Sequence, residues 1–330
     1  MRFLSVILAS LIASLPLQSI GDEQRVFEFT YEIVSGDLPA GEAVDIYIPL
    51  PAEHADQRIL EQALESSVPG KTGVEKNYDN GYYRITRPAG SDAPIKASLS
   101  WTVVRNTVRA GSETALSDAE RARFLAPNAL VPVGHEVLQP ILEEIHLQRS
   151  DDSPSATARA IYDWIVDNVE YKKVGTGWGN GDTFWACSER YGNCTDFHAL
   201  FVALARSEGI PARFEIGFPV PQARPAGDVG GYHCWVQFYI PGEGWIPIDA
   251  SEAAKHPEKR ELFYGTHPAD RIHFTTGRDL VVSEASEKQP LNYFIYPYVE
   301  VGGKPWQGKV NTRFSYREFS EPTLAYKGES

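Results

Sequence analysis

Hydrophobic and polar residues alternate along the first hundred positions of the chain. In RVFEFTYEIV the four large apolar residues from Phe27 to Ile33 fall on one face of a strand, and Glu and Thr fall on the other. The runs VDIYIPLP, YYRITRP after an Asp-Asn-Gly turn signal, and KASLSWTVVRNTV are also typical of strands. Several short strands with turn signals and little helix predict a β-sandwich domain over residues 22–107.

From residue 112 onward the apolar residues recur at helical spacing. The clearest case is SPSATARAIYDWIVDNVEY, in which Ser153 suits the N-cap, Pro154 suits the first turn and an apolar face runs from Ile161 to Val169. The glycine-rich segment KKVGTGWGNGDTFW then predicts a loop.

A second helix is predicted within YGNCTDFHALFVALARSEGIPAR. Its apolar residues lie at positions i, i+3, i+4 and i+7 from Phe197, and Gly209 and Pro211 mark its end. This places Cys194 in the first turn, where the positive end of the helix dipole stabilises a thiolate.

Strand-like runs follow this helix. ARFEIGFPV is succeeded by YHCWVQFYI and GWIPIDA, which are joined by a Pro-Gly-Glu-Gly turn signal. The β pattern continues in RIHFTT, DLVVS and NYFIYPYVEV, and we expect residues up to about 300 to complete one antiparallel sheet beneath helix 194–208. The predicted fold class is therefore α+β, with a core over 108–300 and a β tail over 301–330.

Charge and the N-terminus limit the classes of function. The 330 residues carry a formal charge of −13 and no run of Lys and Arg, so we expect no nucleic-acid partner. Arg2, an apolar run and small residues at positions 19 and 21 are typical of a signal peptide over 1–21. We expect a periplasmic or secreted protein with no stable membrane insertion after cleavage; an uncleaved anchor is the alternative.

An exported chain with three cysteines has one that cannot pair within the chain. A thiolate nucleophile needs a base, and the base needs an orienting group. His233 lies on a strand after Cys194, and Asp249 ends the next strand. Because both numbers are odd, the two side chains share a face of a hairpin only if its connection has an odd number of residues or one strand has a bulge.

These motifs resemble the transglutaminase-like superfamily, which has a papain-like Cys-His-Asp core. The resemblance covers about a third of the chain, from Leu142 to Ala250, with four motifs in the family order. They are Gly192-Asn193-Cys194, Gly209-Ile210-Pro211-Ala212-Arg213, His233-Cys234-Trp235 and Gly244-Trp245-Ile246-Pro247-Ile248-Asp249. The upstream β-sandwich also resembles companion modules of bacterial members.

The resemblance implies that Cys194 is the nucleophile, His233 the base and acid, and Asp249 the carboxylate that orients the imidazole. It implies acyl transfer from protein or peptide amides through a thioester, with no metal or organic cofactor. The backbone N–H of Cys194 is a candidate oxyanion donor. Further candidates for the substrate groove or for support of the catalytic side chains are Trp178, Trp185, Asn193, His198 and Trp235.

Several alternatives stay open at this point. His198, four residues after Cys194, is a rival base, although the angle between two side chains of one helix favours packing near the site. Cys187 and Cys234 are candidates for a disulfide, and a zinc site is conceivable, although the cysteine spacing matches no compact zinc pattern. Asp196 fits a first-turn carboxylate that favours the helix dipole. For function, the alternatives are a cysteine peptidase or amidase and an inactive binding module of the cell envelope.

Overall fold

The computed structural model describes residues 23–36, 38–111 and 115–319. The predicted signal peptide lies outside these residues. Seven helices are found in the described part: α1 Asp118–Leu125, α2 Gln139–Gln148, α3 Pro154–Asn168, α4 Thr183–Glu189, α5 Cys194–Ser207, α6 Ala250–Lys255 and α7 Glu284–Lys288. Short 3-10 helices span Glu136–Leu138 and Pro257–Lys259.

Strands account for most of the remaining regular structure. In chain order they are β1 Gln24–Ser35, β2 Val44–Pro49, β3 Gln57–Ser66, β4 Gly70–Val74, β5 Gly81–Arg87, β6 Lys96–Asn106, β7 Val108–Arg109, β8 Glu170–Tyr171, β9 Tyr191–Gly192, β10 Ala212–Pro219, β11 Ala226–Val229, β12 His233–Ile240, β13 Gly244–Ile248, β14 Thr266–His267, β15 Arg271–Thr276, β16 Tyr298–Val301, β17 Lys304–Pro305 and β18 Val310–Glu318. The predicted α+β fold class is confirmed.

The N-terminal strands contribute to two five-stranded sheets. One has the order β11-β18-β1-β6-β3 and the other β17-β16-β2-β5-β4. The alternation predicted for β1 is present, since Phe27, Phe29, Tyr31 and Ile33 are almost fully buried while the residues between them are partly exposed. Their side chains belong to one continuous hydrophobic core that also includes residues of the sheet beneath α5.

Both N-terminal sheets contain strands from far along the chain. Strand β18 pairs with β1, β16 pairs with β2, and β11 joins the edge beside β18. The boundaries proposed at residues 107 and 300 stay predictions. The strand pairing shows that each of the two sheets contains residues that precede the central core in the sequence and residues that follow its central sheet.

The central sheet has the order β13-β12-β10-β15. The expectation that residues up to about 300 complete it was wrong: only β15 joins from the later runs, Tyr298–Val301 pairs with β2, and Leu280 forms an isolated bridge with Leu291. The free edge of β15 is already occupied, because Gln57 exchanges hydrogen bonds with the His273 backbone and Ala52 N–H donates to His273 O. A further strand therefore has no edge to pair with there.

Helix α5 packs against the central sheet and is almost entirely buried. The Asn193 side chain caps it by accepting from Thr195 N–H, and Asp196 completes a capping box by accepting from Asn193 N–H. Gly209 follows the helix with φ of +73°, a conformation in which a Cβ is disfavoured. The local signals that predicted this helix thus fix its start at Cys194.

Aromatic side chains join the central sheet to the first N-terminal sheet. The Phe29 ring centroid lies 5.2 Å from that of Phe218 on β10 and 5.7 Å from that of Phe274 on β15. Trp101 on β6 also packs edge-on against Phe274. These contacts place the two sheets in one hydrophobic core.

Candidate active site

Cys194 is the first residue of α5, and its side chain is buried. Its backbone N–H donates to no other described residue, as expected for one of the first N–H groups of a helix. Strands β8 and β9 pair in parallel just before it, so strand pairing holds the segment that leads into Cys194. A thiol here lies at the positive end of the helix dipole.

The hairpin of β12 and β13 brings His233 and Asp249 together. Ile240 pairs with Gly244, so the connection has three residues, 241–243. This odd number meets the condition under which His233 and Asp249 share a face of the hairpin. His233 Nε2 donates to Asp249 Oδ2 over 2.7 Å.

Asp249 is completely buried and has more than one partner. Besides His233, its Oδ2 accepts from Arg271 Nη1 over 3.0 Å. Its Oδ1 accepts from Ser251 Oγ and from Glu252 N–H, both over 3.0 Å, so the carboxylate also caps α6. Burial raises the pKa of Asp249, but the charges of His233 and Arg271 and the His233 hydrogen bond hold it well below the usual range.

The electrostatics of the site favour an ion pair between Cys194 and His233. Burial opposes the charged form of His233, yet Asp249 and Cys194 together raise its pKa to about 10. Burial likewise raises the pKa of the Cys194 thiol, but hydrogen bonds with Cys234 and His233 and the charge of His233 bring it well below its ordinary value. The arrangement supports a thiolate beside an imidazolium at neutral pH.

His198 lies beneath the site and does not project into the cleft. Its Nδ1 is 3.5 Å from Cys234 Sγ, and its Nε2 is 3.5 Å from Asp249 Oδ1. It is fully buried, and burial lowers its pKa to about 4. A neutral imidazole in this place packs against the catalytic candidates, as the sequence favoured.

A cleft of about 380 Å³ opens at Cys194. Five of its twelve lining residues are aromatic, and one lysine and three glycines also line it. The lining residues are Tyr171, Lys173, Trp178, Gly179, Asn180, Asn193, Cys194, Gly230, Gly231, Tyr232, Tyr293 and Tyr296. Trp178 and Asn193, two of the candidates named from the sequence, therefore line the cleft.

Two of the candidates for the groove or for support of the catalytic side chains do not line the cleft. The Trp185 ring packs edge-on against Tyr191, with centroids 5.0 Å apart, and supports the glycine-rich loop from outside the cleft. Trp235 is fully buried and donates from Nε1 to Glu215 Oε2 over 2.7 Å. The Arg271 guanidinium lies 4.9 Å from the Trp235 ring centroid, so Trp235 supports the partner of Asp249.

Sequence reasoning missed two residues of the site, Arg271 and Tyr232. Arg271 shows only as a charged residue at the start of a strand. Tyr232 precedes His233, and its hydroxyl lies 3.1 Å from Asn193 Nδ2 and 2.9 Å from Thr195 Oγ1. The only sequence signal for Tyr232 was its position next to the candidate His233.

Asp196 does more than complete the capping box. Its Oδ2 accepts from Gly179 N–H over 2.7 Å and its Oδ1 from Gly181 N–H over 3.0 Å. This carboxylate therefore anchors the glycine-rich loop that carries Trp178 to the first turn of α5. The prediction placed Asp196 correctly in the first turn but gave it only an effect on the helix dipole.

The three cysteines are free thiols, so Cys187 and Cys234 form no disulfide here. Within the described ranges, no group of three or more His, Cys, Asp or Glu residues is arranged to hold a metal ion. Among the described helices, none combines the length and the apolar character needed to cross a membrane.

Comparisons with known proteins agree with this fold. Residues 143–250 match the family model of the transglutaminase-like superfamily. A crystal structure of a Cytophaga hutchinsonii protein, provisionally described as a cysteine protease, superimposes with a TM-score of 0.59 at 20% identity and covers 91% of this chain and 92% of that chain. The family model identifies residues 143–250 as a transglutaminase-like domain, and the solved structure shows a similar fold.

Two sequence relatives have no described activity. An uncharacterized protein of Haemophilus influenzae is 32% identical over 198 residues, which cover 50% of this chain and 54% of that protein. The uncharacterized protein YebA of Bacillus subtilis is 31% identical over 77 residues, 21% of this chain and 10% of YebA. The chain thus spans about half the length of the first relative and a tenth of the second.

Proposed function

We propose that this protein is a cysteine-dependent enzyme that transfers the acyl group of protein or peptide amides through a thioester on Cys194. The observation that carries the proposal is that Cys194 lines the cleft at the start of α5 while His233 Nε2 donates to Asp249 over 2.7 Å. The hydrogen bond and charge of His233 also help to hold the pKa of Cys194 well below its ordinary value. Cys194 lies at a helix N-terminus, which suits a thiolate nucleophile, and His233 has charged groups on both neighbours, Cys194 and Asp249. Asp249 is buried among hydrogen-bond donors that hold it in place to orient the imidazole.

In the first half-reaction, the Cys194 thiolate attacks the carbonyl carbon of the amide. The free N–H of Cys194 faces the developing oxyanion at the helix N-terminus. As the C–N bond breaks, the His233 imidazolium gives its proton to the leaving amine. The products are a thioester, a free amine and a neutral imidazole.

In the second half-reaction, neutral His233 takes a proton from an incoming nucleophile, which attacks the thioester and releases the Cys194 thiolate. An amine gives acyl transfer, and water gives hydrolysis, so a peptidase or amidase uses the same residues. Asp249 accepts from His233 in both steps and fixes the tautomer and orientation of the ring. We further propose that the protein acts after export, outside the cytoplasm.

The proposal is tested with N,N-dimethylcasein as acyl donor and dansylcadaverine as amine. Dansyl incorporation reports acyl transfer, ammonia release in the absence of added amine reports deamidation, and new peptide N-termini report proteolysis. We expect at least one of these signals, with loss of about 10³-fold or more in Cys194→Ala. Cys187→Ala, which removes a cysteine outside the cleft, is the matched control and should keep the activity.

The three readouts separate the candidate reactions. A thioester on Cys194, seen as a mass increase after acid quenching, supports the covalent route whichever nucleophile follows. If wild type and Cys194→Ala give equal signals in all three assays, the proposed enzyme activity is wrong. Binding of casein without any turnover would then favour the inactive binding module.

A further inference from the structure

The cleft above Cys194 has an unusual charge for this chain. Among its lining residues there is one cation, Lys173, and no Asp or Glu. The whole chain carries −13, with 44 acidic residues against 31 basic ones. Because surface charges are screened over roughly 8 Å at physiological salt, the local charge of the cleft decides which groups are favoured inside it.

The backbone fixes Lys173 close to the nucleophile. Strands β8 and β9 pair in parallel with Tyr171 opposite Gly192, and Lys172 N–H donates to Gly192 O over 2.9 Å. Lys173 and Cys194 each lie two residues beyond the last pair of this ladder, and both line the same cleft.

The side-chain directions also place Lys173, and not Lys172, in the cleft. Successive side chains of an extended segment point to opposite sides, so Lys173 shares a side with Tyr171. Lys173 Nζ lies 5.6 Å from the Tyr171 ring centroid, and both residues line the cleft. Lys172 points to the other side, where its Nζ lies over Tyr191 and 3.5 Å from Glu170 Oε2.

The charge of Lys173 is available to a ligand. Within the part of the chain that the structure describes, Lys173 forms no ion pair, and its side chain is exposed. The neighbouring cation Lys255, whose Nζ lies 4.6 Å from the Tyr171 ring, is already paired with Glu252. Lys173 is therefore the one ammonium of the cleft that a substrate can pair with.

The aromatic walls favour planar groups beside this charge. Tyr232 packs against Tyr293 and Tyr296, with ring centroids 5.7 and 5.9 Å away. The Tyr293 hydroxyl donates to Gly179 O over 3.4 Å, which ties this wall to the loop that carries Trp178. Peptide groups and aromatic side chains stack well on such walls.

We propose that the acyl donor is an acidic peptide, bound so that a carboxylate next to the scissile amide pairs with Lys173 while the adjoining residues stack on the tyrosine wall. The expectation that such a peptide is turned over rests on the proposed function. The binding preference itself does not require turnover.

The test uses peptides that alkylate Cys194 directly. Chloroacetyl-Glu-Phe-amide and chloroacetyl-Gln-Phe-amide differ only in the charge next to the reactive carbon. We expect the wild type to react roughly fivefold faster with the Glu peptide, since one ion pair near water contributes about that much. Lys173→Glu should invert the preference, and the matched control Lys172→Glu should keep it.

Iodoacetate and iodoacetamide give a second measurement without any peptide. At Cys194, Lys173→Glu should lower the rate with anionic iodoacetate relative to the rate with neutral iodoacetamide. Lys172→Glu should change this ratio less. Equal ratios in wild type and Lys173→Glu, for both probe pairs, would overturn the assignment. A preserved preference in a protein that turns over no amide would instead contradict only the proposed function.

Discussion

Arg271 and Asp249 form an ion pair that is almost completely shielded from solvent, with 3.0 Å between Arg271 Nη1 and Asp249 Oδ2. The same carboxylate oxygen receives His233 Nε2, so one buried anion holds two cations in place. Arg271 is itself supported by the face of Trp235. The position of the His233 imidazole therefore depends on a residue that does not line the cleft.

Removal of Arg271 should leave Asp249 under-paired. We expect Arg271→Met to lower the free energy of unfolding by about 3 kcal/mol at pH 7. The reason is that the Asp249 carboxylate stays buried but loses the charge that compensates for its desolvation. Arg271→Lys should recover only part of this, since an ammonium keeps the charge but loses the planar contact with Trp235. Urea unfolding of the three proteins measures the difference, and equal stability of Arg271→Met and wild type would contradict it.

The anchoring of the glycine-rich loop is testable at Asp196. In Asp196→Asn one oxygen becomes an NH₂ group that faces a backbone N–H, so we expect a loss of about 2 kcal/mol in the free energy of unfolding. Hydrogen exchange at Gly179 and Gly181 should become faster. Asp182→Asn is the matched control, because Asn caps a helix as well as Asp does and the cap of α4 is kept.

A third expectation concerns acid stability and His267. Burial lowers the pKa of this histidine to about 3, and its Nε2 lies 3.0 Å from Ile248 O. In the unfolded chain the pKa is about 6.5, so above that pH both states are neutral and His267 gives no pH dependence. Below it the unfolded state binds a proton that the folded state does not, and stability falls as the pH falls towards 3.

His267→Gln removes this titration while keeping a donor for Ile248 O. We expect the slope of unfolding free energy against pH, measured by urea unfolding between about pH 4 and 6, to decrease by about 1.4 kcal/mol per pH unit. The comparison of slopes is independent of any constant cost of the substitution. An unchanged slope would show that His267 binds its proton equally in both states.

Signals near each other in the sequence predicted the local parts of the site. The apolar spacing from Phe197 and the stop at Gly209 predicted α5 with Cys194 near its start. The turn signal predicted the β12–β13 hairpin, although the sequence left the number of residues in its connection open. The alternation in β1 likewise predicted its buried face.

Features that depend on distant pairing could not be predicted in this way. A strand pattern shows that Tyr298–Val301 is extended but not that its partner is β2, because pairing is decided by which edges stay free. Arg271 reaches Asp249 only through the order of four strands in the central sheet. Trp235 lies two residues after His233, so strand alternation places it on the same face, with ring centroids 5.9 Å apart. It is nevertheless fully buried and donates to Glu215, which the sequence pattern alone does not show.

The most direct test of the central claim is the rate of alkylation of Cys194 by iodoacetamide across pH, followed by mass spectrometry at each cysteine. The pKa of Cys194 lies well below its ordinary value and that of His233 is raised to about 10, so the ion pair should persist between them. We expect rapid labelling of Cys194 already below about pH 7, slowed strongly in His233→Ala. Cys187, whose pKa burial raises to about 11, is the internal reference and should label only at much higher pH. If Cys194 instead labels only near about pH 8.5 and His233→Ala changes nothing, there is no thiolate–imidazolium pair and the proposed mechanism is wrong.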